Sequence, residues 1–457
     1  MVISLPLSVK IFFPPINTEI IYPAEILIGL IALIFFFTMV YDKERKFIPG
    51  AEFFKHPLTL LILLYLIANI LSTVFSTMPL VSIKALIVKI CYVVVFYFIV
   101  QAFIKSSFES YAEMIKIYGI CMTIVVVYSL AGHFQFGLTK KSSGFISYPF
   151  FADHTIYSAA LAFIIPAFIA FFFFPKVFEI KAGKRAVFFL VMLLFFAALY
   201  FSFGRGAWIS LMAALMVFVL FMLRIRFYQL ILLISVSVLL LFYNREAIVS
   251  SFEKNRINSN EINAGLFEQV FSLTNITNDL SNAERINRWS SALNMFVDRP
   301  WFGFGPGTYQ FQYFDYQRKE DMTPISNLNP IPPGATTYFW SPVTGLKLPQ
   351  SSSAYQGSGG SAHSEYFLAL SETGILSVIA FIGLLLVALK TALRIFSTTT
   401  KMKMKIIAMM AMLGLVTYFV HGLFNNFLDD CKLAFLFWSS LSVIAGIASH
   451  SYVQNEK

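Results

Sequence analysis

Apolar residues in this 457-residue chain come in long runs, and short polar or basic turns separate the runs. The runs lie near residues 20–41, 58–76, 81–104, 114–135, 153–175, 186–203, 206–223, 227–243, 366–389, 406–423 and 433–449. Most approach or exceed the roughly 18 apolar residues that carry a helix across a bilayer. Membrane β-strands would be shorter and would alternate polar with apolar side chains; these runs do not alternate. The pattern predicts an all-α polytopic membrane protein of about 11 transmembrane helices. Its one long polar interval, 244–364, is predicted to be a large outer loop containing short helices. The chain thus divides into an N-terminal transmembrane bundle (1–243), the loop domain (244–364) and C-terminal transmembrane helices (365–457).

Charge placement orients the spans. Lys43, Arg45, Lys46 and Lys55 share one loop, and Lys176, Lys181, Lys184 and Arg185 another. Arg224 and Arg226 mark a third turn, and Lys390, Arg394, Lys401, Lys403 and Lys405 a fourth. All four fall on one side, which the positive-inside rule makes cytoplasmic. The 244–364 loop is then periplasmic, and the location is a bacterial inner membrane, crossed many times. This reading puts the N-terminus outside with no helix to deliver it, so Met1–Asn17 reads as the tail of a further, first span. Pro6, Pro14 and Pro15 interrupt that segment, and it has no cleavage signature of a signal peptide.

Only 13% of residues are charged, against about 25% in soluble domains. The net charge of +10 would suit nucleic acid, but its carriers concentrate in span-joining loops. The partner they imply is the lipid bilayer, with no nucleic acid. Cys91 and Cys121 fall inside spans and Cys431 near a span end, which gives neither a disulfide framework nor a zinc spacing.

Three polar insertions carry candidate chemistry. In "FSFGRGAWISL", 201–211, Arg205 lies in a tight outer turn, where Gly204 and Gly206 permit a sharp bend and close backbone approach. An arginine beside lipid needs an anionic partner or access to the interface; simple snorkelling at a helix end accounts for it equally well. In "LSNAERINRWSSALNMFVDRPWFGFGPGTY", 280–309, Ser281 and Glu284 have the spacing of a capping box. Ile286, Trp289, Leu293 and Phe296 recur at helical spacing as an apolar face, and Pro300 stops the helix. Arg285 and Arg288 lie three apart near the helix start, placed for a phosphate; a solvated basic face is the alternative. "GFGPG", 303–307, reads as a tight turn, or as amides offered to an anion.

The third insertion is "GGSAHSEYFLALSETGILS", 359–377. His363 falls in the first turn of a helix entering the membrane. The helix dipole there disfavours imidazolium, which leaves a neutral ring able to accept a proton; a plain polar cap is the commoner use. Glu372 lies about two turns deeper, where an ionisable group is a functional candidate or bonds a neighbouring helix.

An "R-G-A-W" turn, then "R-x-x-x-W…D-R-P-x-F-G-x-G-P-G-x-Y", then "A-H-S-E-Y-x-x-x-L-x-E-x-G-I-L", in this order over residues 80–440, resemble the O-antigen ligase and polymerase superfamily. The resemblance implies transfer of a glycan from a polyprenyl-diphosphate-linked donor to an acceptor hydroxyl, with no metal, cofactor or nucleotide sugar. It implies that Arg205 and Arg285 bind the diphosphate, with Arg288 beside them, and that His363 deprotonates or orients the acceptor. The family often shows "R-x-x-G-x-F" in an earlier outer loop; "KSSGF", 141–145, puts Lys141 in place of the arginine, keeping charge but losing the bidentate fork. Lys84 and Lys89, in the outer half of one span, need partners; a diphosphate would serve, and snorkelling serves Lys84.

The residue types suit the chemistry. Inverting transfer breaks the bond between the anomeric carbon and the diphosphate, and fixed arginines stabilise the charge on the leaving group. The lead expectation is a ligase-type glycosyltransferase with a lipid A-core acceptor. A polymerase or a protein O-oligosaccharyltransferase would share the motifs. A flippase or transporter would instead place ionisable groups near the midplane, on broken helices in repeated halves; here they gather under one outer loop, without a repeat. The stretch 324–362 is rich in Pro, Gly and Ser and reads as a lid or a disordered segment. Tyr338, Phe339, Trp340 and Tyr355 within it suit sugar stacking or ordinary packing.

Overall fold

The computed structural model describes residues 1–13, 18–41, 49–223, 228–229, 232, 280–318, 337–340, 347–350 and 360–455. Among these, ten helices are long and apolar enough to cross a membrane. They are α1 (Ala24–Tyr41), α2 (Pro57–Val74), α3 (Pro79–Ile104), α4 (Glu109–Phe136), α5 (His154–Phe173), α6 (Ala182–Phe201), α7 (Arg205–Met222), α9 (Glu365–Thr398), α10 (Met402–His421) and α11 (Cys431–His450). The helix α8 (Leu280–Asp298) belongs to the loop. Strands β1 (Val9–Phe13) and β2 (Thr18–Tyr22) form an antiparallel hairpin, as do β3 (Thr337–Trp340) and β4 (Lys347–Gln350). The protein is a multi-pass, all-α membrane protein. The apolar run at 227–243 lies, apart from three residues, outside the described set, as do Tyr355 and the side chains of Tyr338, Phe339 and Trp340.

Composition explains which helices lie inside. α11 is buried throughout its span, whereas α1 and α6 are mostly exposed. α1 turns Leu33, Ile34, Phe36 and Val40 outward, as a lipid-facing helix does. The central α11 instead carries small hydroxyl residues that let neighbours approach and bond across helices: Ser440 Oγ lies 2.7 Å from Tyr111 Oη, and Ser442 Oγ donates to the Tyr97 carbonyl at 2.9 Å. Helices from both sides of the loop share this core. Phe381 of α9 meets Phe419 of α10 at 5.0 Å between ring centroids, and Phe419 meets Phe437 of α11 at 5.4 Å.

The N-terminal segment departs from the expected span tail. Residues 4–7 form one helical turn, β1 and β2 follow, and the buried Lys432 ammonium donates to the carbonyls of Ser8 and Phe150. The hairpin thereby packs beside the start of α11.

α9 breaks at Gly374 (φ 73°, ψ −172°), and the loop after α8 heals the break. The Ile375 amide donates to Pro300 (2.9 Å), while the carbonyls of Ser371 and Glu372 accept from the amides of Phe304 (3.0 Å) and Gly305 (2.8 Å). Ser72 of α2 adds a bond to the same Glu372 carbonyl at 2.8 Å. These groups freed by the kink are thus satisfied inside the protein, as a bilayer requires. Of the "GFGPG" amides, those of Phe304 and Gly305 are tied up in this clamp and that of Gly307 bonds the Glu372 carboxylate. A broken helix is a transporter feature, but here the break holds a loop. A Cβ at Gly374 would stand 2.2 Å from the Trp301 carbonyl oxygen, in a backbone conformation that disfavours side chains. Gly374→Ala is therefore expected to destabilise by more than about 1 kcal/mol, read as a lower unfolding midpoint in detergent.

Candidate functional site

The starts of α5, α7 and α9 and the end of α10 come together on one face. The Glu365 amide donates to the Gly422 carbonyl at 2.9 Å, and Ser364 Oγ to the same atom at 3.2 Å. The buried Glu365 carboxylate accepts from Tyr418 Oη (2.5 Å) and from the amides of Phe427 (2.5 Å) and Leu428 (2.9 Å). The turn after α10, which carries His421, Asn425 and Asn426, is thereby fixed against the start of α9. The opposite face is marked by Phe221 of α7 meeting Phe396 of α9 at 5.8 Å.

Arg205 opens α7 and is half-buried. The bend before it is made by Phe203, at φ 53°, and not by a glycine. The two glycines serve close approach instead. A Cβ at Gly204 would meet Ser158 Oγ at 2.3 Å, and one at Gly206 would meet His421 Cδ2 at 2.9 Å. The arginine's charge acts on His154, as do those of Arg285, Asp153 and Lys140.

α8 does not bury the apolar stripe its spacing suggests. Its buried side chains are Glu284, Asn287, Arg288, Ser291, Ala292 and Met295, while Leu293 is exposed. Most of these polar groups find partners, which is what makes a polar buried face tolerable, although Asn287 Oδ1 is buried without one. Arg288 Nε bonds Glu284 Oε1 at 2.8 Å with both side chains buried, and its Nη1 donates to the Ser361 carbonyl at 3.0 Å. Its guanidinium also lies over the Tyr313 ring, and Tyr309 Oη donates to its backbone carbonyl at 2.8 Å. Asn287 Nδ2 reaches Gln317 Oε1 at 3.0 Å. Arg288, expected beside a phosphate, thus braces the loop. The capping box is absent as well: α8 begins before Ser281, and Glu284 is turned to Arg288. Arg285, on the neighbouring flank, reaches the site: its charge acts on His363, His154 and His421.

His363 lies two residues before α9, in a left-handed turn at φ 50°. Its amide donates to Ser361 Oγ (3.3 Å), and its carbonyl accepts from Trp289 Nε1 (3.4 Å). Trp289 in turn stacks on Phe367, centroids 5.3 Å apart. Such backbone outliers persist where the surroundings over-determine them, often at functional sites. The neutral ring expected from a helix dipole has another cause. Burial first, then the charges of Arg288 and Arg285, lower His363 from 6.5 to about 4, while the charge of Asp153 and a hydrogen bond to Asn425 oppose them. An unfolded imidazole takes its proton near pH 6.5, the folded one near 4. The stability this ring contributes is present above pH 6.5 and is lost as pH falls toward 4. NMR of labelled histidine is expected to show that titration near pH 4, moving upward when inorganic pyrophosphate neutralises the arginines.

Arg205, Arg285 and His363 therefore belong to one neighbourhood: the charge of Arg285 acts on His154, His363 and His421, and that of Arg205 on His154. Sequence reading missed four members. Asp153, the N-cap of α5, stands 3.2 Å from His154 Nδ1. His421, fully buried, lies 3.4 Å from Asn425 Nδ2. "FADHT" and "VHGLFNNF" each set a polar pair at the end of an apolar run, the signal that could have flagged them. Among the described residues no group of three His, Cys, Asp or Glu side chains is placed to hold a metal ion.

The remaining expected residues lie elsewhere. Lys141 is exposed on a short helix, and the lysine whose charge reaches His154 is its neighbour Lys140. Lys84 is exposed on α3. Lys89 lines a cavity of about 20 Å³ deeper in the protein with Tyr65, Glu365 and Glu372. The charges acting on it, from those carboxylates and from Asp429, belong to the chain itself. Glu372 Oε1 accepts from the Tyr309 amide at 3.1 Å, which fastens the loop to α9.

A protein-family model described as O-antigen ligase matches residues 189–328, a stretch containing Arg205 and Arg285 and ending before His363. Over that stretch the chain is similar to the O-antigen ligase family. That family comprises membrane glycosyltransferases of the O-antigen ligase and polymerase type. No curated protein matched the chain significantly.

Proposed function

We propose that the protein transfers a glycan from a polyprenyl-diphosphate-linked donor to an acceptor hydroxyl, with inversion and without a metal. The observation that supports this most is the meeting of Arg205, Arg285 and His363, from three distant parts of the chain, around His154 and His421. Arg205 and Arg285 hold the donor diphosphate, with Lys140 at the rim. The acceptor oxygen attacks the anomeric carbon, the bond from that carbon to the diphosphate oxygen breaks, and the polyprenyl diphosphate leaves with the electron pair. His363 takes the acceptor's proton. A ring near pKa 4 is a weak base; a diphosphate held by Arg285 offsets that arginine's charge and moves the pKa upward, so the donor strengthens the base while burial continues to hold it down. Arg288 and Glu372 act as positioning residues that hold the loop.

The basic 176–185 turn lies at the other end of α5 from Asp153. By the positive-inside rule that end is cytoplasmic, so the site faces the periplasm of a bacterial inner membrane. The acceptor assignment is ligase-type, to a lipid A-core. Purified protein in liposomes, given a labelled polyprenyl-diphosphate glycan and three acceptors, tests it. Label on the core lipid supports a ligase, label on a second lipid-linked glycan a polymerase, and label on a serine-bearing protein an O-oligosaccharyltransferase. Label on none, with donor intact, would refute the transferase reading.

A further inference from the structure

Beside the cluster lies a cavity of about 200 Å³, lined by residues of β1, β2, the 150–156 segment and the 426–432 turn. It is far larger than the roughly 10–15 Å³ that admits one water. Two stretches form a wall shared with the site. Ala152 lines the cavity, and the next residue, Asp153, acts on His363 and His421. Asn426 lines the cavity, and the preceding residue, Asn425, hydrogen-bonds His363. Adjacent Cα atoms are about 3.8 Å apart, so the cavity borders the two residues, Asp153 and Asn425, that act on the imidazole.

The lining has the chemistry of a polyol site. Lys10 and Lys432 face Asp429 and Asp430, two charges of each sign, so nothing there favours a diphosphate. Three of the four are committed: Lys10 to Glu19 at 2.7 Å, Lys432 to backbone carbonyls, and Asp430 to the Lys432 amide at 2.8 Å. Asp429 is exposed and offers carboxylate oxygens. Asn426 Oδ1 is buried with no hydrogen-bond partner, an acceptor that a ligand hydroxyl would satisfy. Phe150 and Phe427 supply apolar surface for the C–H faces of a ring. No residue of α7 or α8, which carry the arginines, lines the cavity. An inverting displacement needs its nucleophile on the side away from the leaving diphosphate.

We propose that this cavity is the acceptor subsite, binding a neutral hydroxylated sugar ring and presenting one hydroxyl to His363. This rests on the transferase reading and adds to it where the acceptor sits. Full-length protein in liposomes would be assayed with a fixed polyprenyl-diphosphate glycan and the acceptor found for the wild type. Asn426→Ala and Asp429→Ala are each expected to raise the acceptor KM about tenfold or less and to leave the donor KM unmoved. Ala152→Phe, which fills the cavity, is expected to raise it further. If Ala152→Phe does not fold, the two polar variants decide alone. A raised donor KM with the acceptor KM unchanged would assign the cavity to the donor glycan and overturn the proposal, as would no change in either. Wild-type protein that transfers nothing would instead overturn the transferase reading.

Discussion

Arg285→Ala is expected to lower the transfer rate by about 10²–10³-fold, the usual cost of removing one preorganised group aimed at developing charge, while leaving the protein folded. Its charge reaches all three histidines of the cluster. The helix that carries it is anchored by other residues, namely Glu284, Arg288 and Tyr309. Charge grows on the diphosphate oxygen as the glycosyl bond breaks, so the loss should fall mainly on kcat and less on donor KM. Arg285→Lys should recover part of the rate, since it keeps the charge and loses the fork. Steady-state kinetics beside the detergent unfolding midpoint checks both halves.

The opposite pattern is expected three residues on. Arg288→Ala leaves the buried Glu284 carboxylate and the Ser361 carbonyl without their donor. Breaking a buried ion pair by removing one partner costs about 3–5 kcal/mol, so the unfolding midpoint should drop. Activity should be lost with it, because Ser361 and the neighbouring Trp289 bond hold the His363 turn. Limited proteolysis of the loop should become faster in this variant and stay unchanged in Arg285→Ala. Two arginines that look equivalent in the sequence are thereby separated by one pair of measurements.

The spans were legible because a bilayer leaves the chain few choices: each run must be about 20 residues long and satisfy its own backbone. The ten helices accordingly begin and end within a few residues of the runs, α9 excepted, which continues to Thr398. α8 was misread for the converse reason. It lies on the loop and helix ends at the membrane face, so its buried stripe includes Glu284 paired with Arg288, Asn287 bonded to Gln317, and Ser291, and apolar periodicity does not mark such a face. Lys89 was misread because its partners, Glu365, Glu372 and Asp429, are distant in sequence. Asp153, His154 and His421 sit at helix ends distant in sequence from the arginines, and only the packing of α5, α7 and α10 brings them near Arg205. Glu372 reads from its depth as a functional candidate or as a bond to a neighbouring element, and its carboxylate accepts from the Tyr309 amide.

The most direct test is to locate a bound diphosphate. A structure of the protein in nanodiscs with a polyprenyl diphosphate should show both phosphates between the Arg205 and Arg285 guanidinium groups, with the His363 ring beside them. Phosphates found at Lys84 or Lys141, with Arg205 and Arg285 uncontacted, would contradict the account.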